Sequence, residues 1–192
     1  MQKKHRIFIA INLPSDIKKY LAGFEQKFSE LPARWTPEDN LHITLLFLGD
    51  LTDEELGEVC MAVKSSIMRH QAFDLNFDKV DYGPDEKLPP RMLWASGQKS
   101  KEMSVLKQDL ESSLCDKVNL KPESKIFSPH VTLARISAFA WRQIEPEERP
   151  EVEQSIDLNF TVESIEVMES ELGRSGPKYT VIESFPLNEF EI

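Results

Sequence analysis

The sequence predicts an α+β domain of two pseudo-symmetric halves, and three observations carry that prediction. Apolar, β-branched runs alternate with helical stripes along the 192 residues. The order strand, helix, strand, helix gives way to strands, helix, strand and closing strands. A four-residue pattern, His42-Ile43-Thr44-Leu45, returns as His130-Val131-Thr132-Leu133 at the corresponding place in the second half. Beyond that pattern the halves share little sequence, so the symmetry is one of structure and not of repeated sequence. The length suits one compact domain, or two small lobes with a common core.

Each element has its own reason. Arg6 to Leu13 is almost continuously apolar and reads as a buried strand. Pro14-Ser15 opens a helix with Ser15 as its N-cap, and Ile17, Leu21, Phe24, Phe28 and Leu31 give the helix its apolar stripe. Residues 34–40 read as a loop leading to the first His-x-Thr strand, which Gly49-Asp50 ends. Thr52-Asp53-Glu54-Glu55 has the form of a capping box, ahead of a helix bearing Leu56, Val59, Val63 and Ile67. Phe73 to Val80 alternates apolar and polar residues as a half-buried strand does, and Arg91 to Ala95 follows a Pro- and Gly-rich turn. Leu106, Leu110, Leu114 and Val118 mark a third helix. The second His-x-Thr strand runs to about Ile136. Residues 142–155, rich in glutamate, read as a solvated, mobile loop. Strands at Phe160 to Met168 and Tyr179 to Ile182 flank the turn Gly173 to Pro177, read as a hairpin turn in preference to a phosphate cradle.

Composition narrows the function. The net charge is −10, and neither half carries the basic excess that extended duplex binding requires. A nucleic-acid partner would be gripped locally, at an end or as a small nucleotide. No apolar run approaches the roughly 20 residues of a membrane span, and the basic N-terminus lacks a cleavage site, so a cytoplasmic protein without membrane association is expected. Cys60 and Cys115 read as buried, reduced thiols without metal or redox spacing. His5 and His70 read as surface residues. With no exposed apolar stripe, a monomer is expected.

The chemistry lies in the repeated motif. Residues i and i+2 of a strand share a face, so each copy presents an imidazole and a hydroxyl together. Placed side by side, the strands would converge two imidazoles and two hydroxyls on one pocket. Histidine gives or takes a proton near neutrality, and a pair astride a phosphate can act as base and acid in one step. Thr44 and Thr132 can donate to the non-bridging oxygens. The guanidinium of Arg135 suits the same oxygens, yet strict alternation from His130 puts it on the other face; a bulge or the strand's end is needed to bring it round. For base stacking, Phe47 is assigned to the face of His42 and Thr44, with Phe8 as a second candidate. Trp35, Trp94 and Trp141 are assigned to packing or surface. No third ligand accompanies the motif histidines at metal-site spacing; a Zn²⁺ site of His42, His130 and a distant carboxylate is the alternative.

Taken together, these residues resemble the 2H phosphoesterases, and specifically the RNA 2′,3′-cyclic phosphodiesterases once called 2′-5′ RNA ligases. The resemblance rests on Arg6 to Ile11 as the opening strand, on Trp35, Asn40 to Leu45 and Phe47-Leu48-Gly49 around the first motif, on Phe127 to Arg135 around the second, and on Leu172-Gly173, Gly176 and Tyr179-Thr180 near the end. It implies one bilobal domain over residues 1–192, with two lobes of antiparallel sheet, helices outside and a central cleft. It implies no cofactor and no metal, and as substrate an RNA 3′ end or small nucleotide bearing a 2′,3′-cyclic phosphate, hydrolysed to the 2′-phosphate. His130 would then act as proton acceptor toward water and His42 as proton donor to the 3′-oxygen, with Thr44, Thr132 and Arg135 on the phosphoryl oxygens and Tyr179 facing the cleft. Run with an RNA 5′-hydroxyl in place of water, the same chemistry makes a 2′-5′ linkage. A 2H enzyme acting on 2′-5′ oligoadenylate, another cyclic nucleotide or ADP-ribose cyclic phosphate is the first alternative; a non-catalytic module that binds RNA ends is the second.

Overall fold

A computed structural model describes residues 3–84, 88–118, 120, 127–173 and 176–188. In chain order the elements are β1 (His5–Asn12), α1 (Ser15–Ala22), α2 (Phe24–Lys27), β2 (Ala33–Trp35), β3 (His42–Leu51), α3 (Asp53–Ile67), β4 (Phe73–Gly83), β5 (Met92–Gly97), α4 (Lys101–Leu114), β6 (His130–Ile136), α5 (Ala138–Arg142), β7 (Glu153–Val162), β8 (Ser164–Gly173) and β9 (Gly176–Pro186). All the strands join one sheet in the order β7-β4-β5-β6-β3-β1-β8-β9, with β2 added beside β6. The sheet divides into two four-stranded antiparallel halves, each with a His-x-Thr strand innermost. Only one residue pair, Ile43 with Val131, joins them in the ladder. Both residues are fully buried, so the joint is short but apolar.

One face of the sheet carries the core. Ile7, Ile9, Ile11, Ile43, Val131, Leu133 and Val167 pack with Val59 and Val63 of α3 and with Met103, Leu106 and Leu110 of α4. Each such side chain contributes about 1.5–3 kcal/mol on burial. The opposite face holds a much smaller cluster of Phe8, Ala10 and Met168, with Tyr179 against it. This second, thinly covered face bears His42, Thr44, His130 and Thr132.

Several elements depart from the sequence expectation. α1 begins at Ser15 with Pro14 in the cap position, and Ser15 makes no capping bond; the helix then breaks at Gly23 and resumes only for Phe24–Lys27. The loop at 34–40 contains β2, too short for a periodic signal. β3 does not stop at Gly49 but passes through it at φ +81° to pair Leu51 with His5. The expected loop at 142–155 is shorter than read: its first residue, Arg142, still belongs to α5, whose Trp141 is buried, and β7 starts at Glu153. The glutamates masked an alternation of Ile156, Leu158, Phe160 and Val162, which runs along an edge strand with one face in water. Of the hairpin turn, Arg174 and Ser175 lie outside the described residues.

Buried polar groups also correct the sequence reading. His5 is 8% exposed, its Nδ1 2.7 Å from Glu169 and its Nε2 3.0 Å from Asp53, so it bridges β8 and α3. His70 lies mostly buried against Asp109, 2.9 Å away, tying the end of α3 to α4. Cys60 is half-buried and Cys115 exposed, not both buried; burial pushes the Cys60 thiol up to about 11, assisted by Glu183, which leaves it protonated. No described helix is long and apolar enough to cross a membrane.

The capping box is present: Thr52 Oγ1 accepts from Glu55 N at 3.3 Å, and Glu55 accepts from Thr52 N at 2.7 Å. Thr52→Ala is expected to cost about 1 kcal/mol, which thermal unfolding would register as a Tm lower by roughly 2–4 °C for a domain of this size.

Candidate active site

The same local device delivers both histidines. His42 Nδ1 donates to the carbonyl of Asn40, 2.7 Å away, and His130 Nδ1 to the carbonyl of Ser128, 2.8 Å away. A carbonyl can only accept, so each ring carries its proton on Nδ1 and, when neutral, presents Nε2 as an acceptor. For His42 that acceptor is met by the Thr44 hydroxyl at 3.0 Å. Because the strands are antiparallel and pair at Ile43 and Val131, residue 42 falls across from 132 and residue 44 across from 130. The imidazole of each motif therefore stands beside the hydroxyl of the other. The four groups surround one point of near two-fold symmetry.

Matching irregularities follow the motifs. Between β1 and β3 the register skips Leu45, and between β5 and β6 it skips Leu133. Each is a one-residue bulge just past the threonine, and it inverts the alternation thereafter. Arg135 is thereby carried onto the face of Thr132, two ladder rows beyond the Trp94–Thr132 pair, and it is exposed. Phe47 is carried onto the face of Thr44 in the same way. Counted by strict alternation Phe47 belongs with Ile43 and Leu45, so its expected place on the histidine face is reached only through the bulge. Phe47 and Arg135 are thus equivalent positions in the two halves, one apolar and one cationic.

The two imidazoles sit in different surroundings. His42 is lined by Phe8, with ring centroids 5.1 Å apart, and by Tyr179 edge-on at 5.1 Å. Burial among these rings pushes the His42 imidazole below its ordinary value; the Asn40 carbonyl opposes the shift, while the Lys18 and His130 charges add to it. Lys18 itself is held by Asn12 Oδ1 at 3.1 Å and the Asp39 carbonyl at 3.2 Å. Phe8, expected as a stacking surface, is only 3% exposed and packs against Phe47, His42 and Tyr179. It supports the imidazole and has no free face for a base. Phe47, 68% exposed, has one.

His130 lies on an indole instead. Trp94 stacks on it with centroids 3.8 Å apart and planes 22° apart. Gly83 backs the same ring: a Cβ there would fall 2.3 Å from Trp94 Cε3, so glycine is what lets the indole lie down. The Trp94 Nε1 is buried with no partner among the described residues, which means the ring is placed for its faces and not for a hydrogen bond. The sequence reading, which assigns Trp94 to packing or surface, misses this role. The available signal is the alternation Leu93, Trp94, Ala95, which turns Trp94 to the face opposite the core. Among the described residues no group of three His, Cys, Asp or Glu is arranged to hold a metal ion.

Comparison with known proteins agrees with this architecture. The family described as LigT like phosphoesterase matches residues 8–94, which include the first motif and extend to Trp94. An RNA 2′,3′-cyclic phosphodiesterase of Geobacillus stearothermophilus is 31% identical over 96% of this chain, which spans 58% of that protein's length. One from Thermus thermophilus is 32% identical over 95% of this chain and 90% of its own. The crystal structure of a Thermus thermophilus protein, 28% identical, superposes with a TM-score of 0.81 over 96% of this chain and 98% of that one. With its open antiparallel sheet and near-complete alignment to the Thermus thermophilus relative, the chain belongs to the LigT-like phosphoesterase family, alongside the RNA 2′,3′-cyclic phosphodiesterases.

Proposed function

We propose that this protein hydrolyses RNA or nucleoside 2′,3′-cyclic phosphates to 2′-phosphomonoesters by two-histidine acid–base catalysis. The observation that carries the reading is the pseudo-symmetric pair of imidazoles, each fixed through Nδ1 and each beside the other motif's threonine. A cyclic phosphate seated between them has a water on the His130 side and the ribose 3′-oxygen on the His42 side. His130 Nε2 takes a proton from the water as its oxygen bonds to phosphorus. The P–O3′ bond breaks, and the departing 3′-oxygen receives its proton from His42 Nε2. Thr44, Thr132 and Arg135 hold the non-bridging oxygens, where negative charge gathers. The names of the relatives support the substrate class.

The surroundings fit this division of roles. An acid whose proton is loosely held gives it up readily, and burial loosens the proton on His42. Trp94, stacked on His130, holds that ring in a fixed plane toward the water. Phe47 offers the exposed ring for the terminal base, and Tyr179 walls the cleft beside His42. The RNA end is the partner, the protein acts as a monomer, and residues 1–192 act as one bilobal catalytic domain in the cytoplasm.

The test is turnover of EDTA-treated protein on an oligoribonucleotide ending in a 2′,3′-cyclic phosphate, with the product isomer resolved. Formation of the 2′-phosphate supports the reading. A 3′-phosphate product, or none, overturns it.

A further inference from the structure

β2 lies where the two halves part. β6 touches β3 at Val131 alone, and from Ala134 to Ile136 its free edge is taken by β2. Within that short ladder Arg34 stands directly opposite Arg135, and residues opposite one another share a face. Two arginines side by side concentrate positive charge, at a cost of a fraction of a kcal/mol. Here they stand on the face of His130 and Thr132, in a chain whose net charge is −10. Their row lies two β5 residues, about 7 Å, beyond the Trp94–Thr132 row. A guanidinium spans that distance, so Arg135 is within reach of the reacting phosphate, while Arg34 stands one strand farther out, beside Arg135.

Arg34 also reaches across the cleft. Its Nη2 lies so close to Gly176 that a Cβ there would sit 2.0 Å away. Gly176 opens β9, the strand that delivers Tyr179 to His42, and Pro177 beside it accepts a hydrogen bond from Asn40 Nδ2 at 2.9 Å. The arginine therefore extends from the second half to the hairpin of the first, beside the face that bears the motifs. Resting on the function proposed above, we propose that Arg34 binds the phosphodiester one nucleotide 5′ of the cyclic phosphate, which makes the enzyme selective for oligonucleotide ends over cyclic mononucleotides.

Arg34→Gln separates the two phosphates, because a cyclic mononucleotide has only the reacting one. On the mononucleotide, kcat/KM is expected to stay within about twofold of wild type. On a cyclic-phosphate-ended oligonucleotide it should fall roughly tenfold, mainly in KM, as for loss of one charge-assisted contact. The salt dependence of oligonucleotide binding should weaken by about one phosphate contact, and Arg34→Lys should restore much of the loss. Calorimetric binding of a 2′-phosphorylated mononucleotide and dinucleotide gives the same ratio without turnover. Equal losses on both ligands, or none on either, overturn the proposal. If wild type turns over neither substrate the functional reading fails, while the binding ratio still decides the role of Arg34.

Discussion

His42→Ala and His130→Ala are each expected to reduce kcat by about 10²–10⁴-fold, the range for loss of one general acid or base. Both imidazoles stand on the thinly covered face of the sheet, outside the main apolar core, so most of the core packing is independent of them. Thermal unfolding should show both variants folded, with Tm close to wild type. Because the two imidazoles serve one concerted step, the double variant should lose far less than the product of the single losses. KM should change little, since the phosphate is held chiefly by the threonines and Arg135. Single-turnover assays on a cyclic-phosphate-ended RNA give these quantities directly. Near-wild-type kcat in either variant would remove that histidine from the chemistry.

The sequence shows the reacting groups more clearly than what surrounds them, and for physical reasons. His42, Thr44, His130 and Thr132 are legible because a strand's period of two is exact over three residues, too short a span for a bulge to intervene. Arg135 and Phe47 lie beyond the bulges at Leu45 and Leu133, where alternation inverts without any local signal; nothing in Thr132-Leu133-Ala134 demands the extra residue. Trp94 escapes a sequence reading since its role depends on which strand lies beside β6, a non-local fact. Arg34 is hidden for the same reason, β2 being three residues that pair only in the folded sheet. His5 shows the limit from the other side. A histidine near the N-terminus reads as solvated until the fold brings Glu169 and Asp53 to either side of it.

The pH dependence should differ between kcat/KM and kcat in a direction set by His42. As the acid, His42 must be protonated, so its titration forms the alkaline limb. In the free protein, burial and the Lys18 charge hold its proton weakly, which moves the alkaline limb of kcat/KM below the ordinary histidine value of about 6.5. Above that limb kcat/KM should fall about tenfold per pH unit, as for loss of one essential proton. A bound phosphate brings a negative charge beside Nε2 and favours the imidazolium. The alkaline limb of kcat, which reports the complex, should therefore lie at higher pH. Lys18→Gln tests the cause: removing a nearby cation favours the imidazolium in the free protein, so the kcat/KM limb should move up toward the kcat limb. Because the two histidines interact, the measured limbs belong to the pair, yet the shift on removing Lys18 keeps its sign. Coincident alkaline limbs in wild type, or a downward shift in the Lys18 variant, would show that His42 is not the buried acid.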